Sequence, residues 1–457
     1  MHAPLIRTKT TELSGWGRYP RAGARVARPE NLSAVEFDPG ESVLARGLGR
    51  SYGDAAMLRD GVVLLTERLN RFLDFDSRTG LLRAEAGATL AEVLETFVPR
   101  GWFPAVTPGT KFVTLGGCVA ADVHGKNHHR EGSFGSHVAG LELMLADGDR
   151  VRCSPEVNTE LFRATVGGMG LTGLITEVAF RLRPIKTSYM LVRQRAARGL
   201  EESLALYEDP ALDDEYTVSW VDCAARGPRL GRSVLIRGQH ARPEELPDKR
   251  RAVETFRVRP AVSVPFDFPS WALNRLTASL FNRSYFARQS RRRGPFLAGL
   301  DQFFYPLDAV GGWNRLYGRR GFLQYQCLLP LGGAARGLRK IFGALAASEE
   351  PCTLGVLKRF GPGGVGPLSF PAEGYTLALD FPLRSGGLFA LLELFDEAVL
   401  EQGGRVYLAK DARLTPEVFR RMYPRHAEWA ETKRRVDPEG RFRSELSRRL
   451  GLTPPAA

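Results

Sequence analysis

The residues best suited to chemistry fall in two glycine-rich stretches, the second of which ends in three histidines around a lysine. The first reads Arg46-Gly47-Leu48-Gly49-Arg50-Ser51-Tyr52-Gly53-Asp54. The second carries Pro108-Gly109-Thr110 and Gly116-Gly117 and closes with Asp122-Val123-His124-Gly125-Lys126-Asn127-His128-His129. Glycine tolerates positive φ and has no Cβ, so a run of it lets successive backbone N–H groups converge on an anion. Two such cradles suit a ligand with two phosphates and a large planar ring, which in chemical outline is a flavin dinucleotide. Either stretch taken alone also fits ordinary tight turns.

Two other motifs fail on their context. Gly168-Met169-Gly170-Leu171-Thr172-Gly173 matches G-x-G-x-x-G, but a Rossmann fingerprint follows a strand, opens a helix and finds an acid about 20 residues on. Here a helical pattern precedes the glycines, a strand pattern follows, and no Asp or Glu lies between Glu177 and Glu201. His124 and His128 stand at i, i+4, a metal-binding spacing on a helix. Gly125 argues against a helix and no nearby acid or cysteine completes a set, so no metal site is expected.

Positioning these residues requires a large scaffold, and 457 residues with 43% apolar content supply one, with two or three domains expected. No run of 18 apolar residues predicts a membrane span, and residues 1–28 show no apolar segment of the kind a secretory signal needs. The five cysteines, Cys118, Cys153, Cys223, Cys327 and Cys352, are widely spaced and odd in number. That favours free thiols and a reducing, cytoplasmic compartment over a disulfide framework or a zinc site. The formal charge is +13, carried by 55 Arg and only 9 Lys. Between Asp267 and Asp301 lie Arg275, Arg283, Arg288, Arg291, Arg292 and Arg293 with no acid among them, interleaved with Phe268, Trp271, Leu276, Leu280, Phe281, Tyr285 and Phe286. Such a segment suits peripheral contact with an anionic membrane surface rather than nucleic acid.

The apolar patterning predicts an α+β chain: strands over 62–66, 72–75, 82–86, 138–145, 150–153 and 174–182, with Asp147-Gly148 as a hairpin signal. Helices are expected over 90–98, capped by Thr89, and over 158–165. Further strands are expected over 216–222, 233–237, 322–329 and 375–381, and an arginine-rich helical pattern from 403 to 450.

These residues carry a resemblance. The two glycine stretches, with Gly132-Ser133-Phe134-Gly135, resemble FAD-linked oxidases of the vanillyl-alcohol oxidase (PCMH) type. Within that superfamily the chain resembles the decaprenylphosphoryl-β-D-ribose 2′-oxidase family. The likeness continues through Trp313-Asn314-Arg315, Phe322-Leu323-Gln324-Tyr325-Gln326, Phe360-Gly361-Pro362, Pro367-Leu368-Ser369-Phe370-Pro371, Tyr407-Leu408-Ala409-Lys410-Asp411 and Val436-Asp437-Pro438. The resemblance implies a PCMH-type FAD-binding domain made of residues 1–187 and 404–457, with an antiparallel-sheet substrate domain, 188–403, inserted between.

Carried over residue by residue, it places the pyrophosphate on Arg46, Gly47, Leu48, Gly49, Arg50, Ser51, Tyr52, Gly53 and Asp54, and on Gly109, Thr114, Leu115, Gly116 and Gly117. Ala121, Asp122, Val123, His124, Gly125, Asn127, Ile175 and Tyr407 surround the rest of the FAD. Tyr52, His124, Lys126, Gln326, Lys358 and Lys410 face its ring, and Lys126, Gln326, Lys358 and Trp220 meet the substrate. Oxidising a secondary alcohol requires removal of the hydroxyl proton and transfer of hydride to the flavin. A lysine stabilises the reduced ring or an alkoxide, or binds a phosphate as a point charge. Lysines are scarce here, so Lys126, Lys358 and Lys410 inside matching motifs stand out. Lys410 is the first choice for that role; His124 is the second for proton transfer, with Tyr52 and Lys126 beside them.

Two departures matter. Histidyl-flavin relatives place the attached His directly before Ser in the first loop, where this chain has Arg50-Ser51, so the FAD is expected to be non-covalent. The ribose oxidase family has an Asn and a Cys where this chain has Thr376 and Ala378. The implied function is oxidation of the ribose 2′-hydroxyl of a polyprenyl-phosphate ribose to the 2′-keto sugar. An NAD(P)H-dependent short-chain reductase would then complete epimerisation to the arabinose donor for cell-wall arabinan. Two alternatives stay open: an FAD oxidase of a soluble sugar, alditol or aldonolactone, and a basic lipid- or nucleic-acid-binding protein without redox activity.

Overall fold

The computed structural model describes residues 7–35, 40–247, 256, 262–269, 271–384 and 386–453. The ends of the expected flavin domain, 1–6 and 454–457, and its residues 36–39 lie outside the described residues, as does part of the stretch read for a leader.

Three sheets carry the scaffold. The first is mixed: Lys9–Ser14 pairs antiparallel with Arg21–Ala27, while Val62–Leu65 runs parallel to both Arg21–Ala27 and Val43–Arg46. The second is built around Leu174–Pro184, whose alternating burial sends Leu174, Thr176, Val178 and Phe180 inward. It pairs antiparallel with Leu81–Glu85, Val138–Met144 and Trp102–Pro104. Against this face lies the helix Leu90–Phe97. It starts where the sequence says it should, because Thr89 and Glu92 form a reciprocal capping box, and it buries Leu90, Val93, Leu94 and Phe97. Asp147-Gly148 makes the expected hairpin, with Gly148 at φ 92° and Met144 opposite Arg150.

The third sheet has eight antiparallel strands in the order Phe296–Gly299, Tyr189–Ala197, Ser233–His240, Tyr216–Val221, Leu354–Phe360, Gly374–Pro382, Phe322–Pro330 and Arg405–Val406. The helices Leu331–Ala347 and Gly387–Leu400 add Leu338, Ile341, Phe395 and Val399 to a core shared with Leu377, Leu379 and Phe381. The C-terminal helices Pro416–Met422, His426–Val436 and Glu445–Arg449 join the same core through Phe419, Trp429 and Leu446. Trp429 Nε1 donates to Ala164 O at 3.0 Å, and Val43 N donates to Arg441 O at 2.8 Å, so the chain's end packs on elements near its beginning.

The glycine motif at 168–173 sits after the helix Thr159–Thr165 and before Leu174–Pro184, the reverse of a Rossmann turn. His124 lies in an isolated bridge with Ser133, and the short helix His128–Glu131 starts after it, so His124 and His128 share no helical face. Among the described residues no helix is long and apolar enough to cross a membrane.

Candidate active site

A cavity of about 700 Å³ is lined by both glycine stretches on one side and by the eight-stranded sheet on the other. Arg46 ends its strand and spans the first loop from behind, its guanidinium donating to Ala56 O at 2.6 Å and to Ser14 O at 2.7 Å. Two close approaches explain the glycines. A Cβ on Gly47 would stand 2.2 Å from Thr114 Oγ1, so the two loops touch directly, and one on Gly53 would stand 1.8 Å from Asp411 O. Arg449 donates to both Asp54 oxygens and forms an ion pair with Asp411, which ties the loop to the C-terminal segment.

The backbone N–H groups of Gly47, Leu48, Gly49, Arg50 and Ser51 meet no protein acceptor among the described residues, although all five residues line the cavity. Backbone donors withdrawn from water are nearly always paired. A run of five residues with unpaired donors along one cavity wall suits an anion, and it fits the phosphates of a dinucleotide. Arg50 adds charge: its guanidinium lies 3.8 Å from the Trp16 ring centroid and its buried Nε has no partner.

Deeper in, the polar groups converge. Gln326, on Phe322–Pro330, holds its Nε2 at 2.9 Å from His124 Nε2 and 3.1 Å from Thr376 Oγ1. An amide nitrogen donates, so this imidazole nitrogen accepts. Burial, with the nearby Lys358, His128 and Lys410 charges, pushes His124 well below its ordinary pKa and keeps the ring neutral. Lys358 Nζ stands 3.5 Å from His124 Nδ1. Lys410 Nζ sits 3.7 Å from the Tyr52 ring centroid. Withdrawal from bulk water lowers Lys410 to about 7; Asp380 opposes that shift and Lys358 adds to it. The same desolvation lowers Lys126 to about 7 and Lys358 to about 8. Asp380 itself is raised to about 6 by burial, with Gln324 Nε2 donating to its Oδ1. Lys126 donates to Phe303 O and lies 4.5 Å from that ring's centroid.

The cavity gathers Arg46, Gly47, Leu48, Gly49, Arg50, Ser51, Tyr52, Gly109, Thr114, Gly116, Gly117, Ala121, Val123, His124, Gly125, Ile175, Tyr407 and Lys410, with Lys126, Gln326, Lys358 and Trp220. Gly53, Asp54, Leu115, Asp122 and Asn127 lie behind its lining. Asn127 Nδ2 donates to Ala105 O, and Asp122 Oδ1 accepts from Gly135 N, so both brace the loop carrying His124 and Lys126. Sequence reasoning did not single out Asp308, which lines the cavity and accepts from Thr110 Oγ1 and Lys111 N at 2.8 Å each. No local pattern marks it, because it lies 198 residues from Thr110. Thr376 and Ala378 line the cavity too, with the Thr376 hydroxyl serving as acceptor for Gln326. All five cysteines are buried and free.

A family model described as FAD binding domain matches residues 36–154, and one described as D-arabinono-1,4-lactone oxidase matches residues 388–450. The chain is 38% identical over 455 residues to the decaprenylphosphoryl-beta-D-ribose oxidase of Mycolicibacterium smegmatis, an alignment covering 97% of this chain and 98% of that one. A Streptomyces coelicolor protein from the mprA 5′ region is 39% identical over 380 residues, 80% of this chain and all of its own length. The human Delta(24)-sterol reductase is 31% identical over 135 residues, 30% of this chain and 26% of that enzyme. FAD is thus the cofactor of this chain. Likeness end to end with one oxidase, and not merely across the flavin segment, decides the rest: the chain belongs to the decaprenylphosphoryl-β-D-ribose oxidase family of FAD-dependent oxidoreductases.

Proposed function

We propose that this enzyme oxidises the 2′-hydroxyl of a polyprenyl-phosphate ribose to the 2′-keto sugar, the first half of an epimerisation that an NAD(P)H-dependent short-chain reductase completes. The observation that carries the reading is the convergence of three of the nine lysines, Lys126, Lys358 and Lys410, with His124 and Gln326 in the cavity that the glycine loops line. We divide the chain accordingly into a flavin domain, residues 1–187 and 404–457, and a substrate domain, residues 188–403.

When bound, FAD supplies the hydride acceptor. The protein's part is proton handling and orientation. With a pKa of about 7, Lys410 is partly a neutral amine at neutral pH, the poise that suits a general base. It accepts the hydroxyl proton, and the ammonium so formed holds the negative charge that develops on its surroundings. Gln326 and neutral His124 offer the sugar one donor and one acceptor face. Tyr52, raised well above its ordinary pKa by burial, stays protonated beneath Lys410 and serves as a packing surface.

The substrate's lipid tail calls for a membrane, and we assign that contact to the helix Arg275–Ser290 and its flanks. Trp271, Leu276 and Leu280 are 70%, 77% and 65% exposed, Phe266 and Phe281 stand out beside them, and Arg283, Arg288, Arg291 and Arg293 are exposed around them. Exposed apolar residues ringed by arginine match an anionic bilayer surface.

The test is anaerobic bleaching of the flavin absorbance. Farnesylphosphoryl-β-D-ribose is expected to bleach it, and free ribose, alditols and arabinono-1,4-lactone are not. Bleaching by the lactone alone would make the enzyme an aldonolactone oxidase, the reading that the match over residues 388–450 would favour.

A further inference from the structure

We propose that Arg292, at the mouth of the cavity, is the subsite for the substrate's phosphate. The inference rests on the substrate class proposed above, and it locates a charge that the inner lysines leave unassigned.

Three consecutive arginines follow the helix Arg275–Ser290, and of these only Arg292 lines the cavity; Arg291 and Arg293 do not. Its guanidinium lies 3.8 Å from the centroid of Phe296, another lining residue. Stacking of that kind fixes the plane of a guanidinium while leaving its N–H edge free. No carboxylate pairs with it among the described residues. An exposed guanidinium held in plane at the edge of a cavity, with no carboxylate to neutralise it, is open to an anion from outside the protein. The amides of Gln289 and Gln302 line the same mouth and can add neutral donors.

The groups on either side fit the order of groups in the substrate. Inward lie the lysines and His124, which handle the sugar. Outward runs an aromatic ladder: Trp220 stands 4.6 Å from Tyr285, and Tyr285 is stacked on Phe281 with centroids 6.0 Å apart. Phe281 is 58% exposed and also lines the cavity, so the ladder leads from the cavity wall to the apolar surface. In a prenyl-phosphate sugar the phosphate joins sugar to chain, and Arg292 stands where polar cavity gives way to apolar exit. Arginine suits the task because its fork matches phosphate bidentately and stays charged at any working pH.

The helix that leads into Arg292 is itself fixed. Asn282, 1% exposed, donates to Asp222 Oδ1 at 2.9 Å, and Arg232 Nε donates to Asp222 Oδ2 at 2.7 Å. The cation therefore follows directly on a helix anchored at Asp222, the residue next to the strand Tyr216–Val221.

The experiment compares R292Q, R291Q and R293Q holoenzymes, each checked for flavin content. Binding of farnesyl phosphate and of farnesol is measured by calorimetry, and oxidation of farnesylphosphoryl-ribose and of an uncharged prenyl β-riboside is followed by flavin bleaching. R292Q is expected to weaken farnesyl phosphate at least tenfold and leave farnesol unchanged. It should raise KM for the phosphorylated sugar by a similar factor with kcat within about twofold, and leave the uncharged riboside as in wild type. R291Q and R293Q are expected to change each value less than threefold, and R292K to recover part of the loss. Equal losses in all three variants, or an equal loss for charged and uncharged ligands, would overturn the subsite. If wild type oxidises no prenyl riboside, the substrate proposal fails, and the farnesyl phosphate titration still decides the subsite by the same two comparisons.

Discussion

The two ends of one cavity are built on opposite physical terms. At the inner end the lysines are recessed, and the loss of water lowers Lys126 and Lys410 to about 7 and Lys358 to about 8. Its glycine loops touch each other at Gly47 and Thr114. At the mouth the cations are exposed arginines set among apolar side chains that face outward. The inner end spends folding energy on keeping charges and donors poised, as a site for chemistry must. The mouth keeps its arginines hydrated and its leucines free, as a docking surface must. The difference implies that substitutions at the inner end act on turnover, and substitutions at the mouth act on encounter.

The largest effect that could break the comparison concerns the cofactor. With Arg50 before Ser51, and no histidine in the first loop, FAD is expected to be held without a covalent link. Acid precipitation of the holoenzyme is expected to leave all the yellow colour in the supernatant. Flavin that stays in the pellet would mean a covalent link and a different organisation of the loop.

Next in size is Lys410→Ala. The variant is expected to retain FAD and to lose roughly 2 to 4 kcal/mol of transition-state stabilisation, on the order of 30- to 1,000-fold in kcat/KM. Wild-type turnover would remove Lys410 from the chemistry. A titration sharpens the same point. The neutral form of Lys410 grows as pH rises through about 7, so kcat/KM should climb from pH 6 toward a plateau above pH 8, by roughly tenfold. Lys410→Ala should flatten that limb. A rate that instead falls as pH rises through 7 would show that the charged form is the active one.

The same contrast governs what was legible in the sequence. The inner end was, because its demands are local: glycine where a loop must approach Thr114 or Asp411, and lysine where composition makes lysine rare. Thr89 with Glu92, and Asp147-Gly148, likewise wrote a helix start and a hairpin into a few adjacent residues. Long-range pairing was not legible. Gln326 reaches His124 only because Phe322–Pro330 lies between Gly374–Pro382 and Arg405–Val406, and nothing near Gln326 announces that register. The helix Leu331–Ala347 was hidden by its glycines. Gly333 and Gly337 look like breakers, yet they are where Gln402 and Leu329 pack against the helix. The segment 267–301 read as a basic, aromatic stretch, and its best-defined part is a sixteen-residue helix held by Asn282, a residue that carries no signal of burial on its own. Of the mouth, then, composition gave the chemistry of the surface and left its shape to Asp222 and Arg232, which precede the helix Arg275–Ser290 by more than forty residues.

The smallest expected effect is the one that tests whether the mouth works as a surface at all. Leu276 and Leu280 are one turn apart on the helix and point into solvent, so replacing both with Ser removes apolar area without opening a cavity or breaking a recorded side-chain bond. Partial burial of each leucine in a lipid interface is worth about 1 kcal/mol, below the 1.5 to 3 kcal/mol of full burial. Each nearby arginine adds up to about 1 kcal/mol on an anionic membrane. The double variant is therefore expected to bind phosphatidylserine-containing vesicles on the order of ten- to thirtyfold more weakly while its folded stability changes by less than about 0.5 kcal/mol. Raising salt to 0.5 M, which screens the arginines over a Debye length of a few ångströms, should weaken wild type further and act equally on the variant. Turnover of a short, soluble prenyl analogue should be untouched, since Leu276 and Leu280 do not line the cavity. Vesicle binding equal to wild type, or a matching loss of turnover on the soluble analogue, would show that this face serves the inner end directly and that the division between chemistry and encounter is wrong.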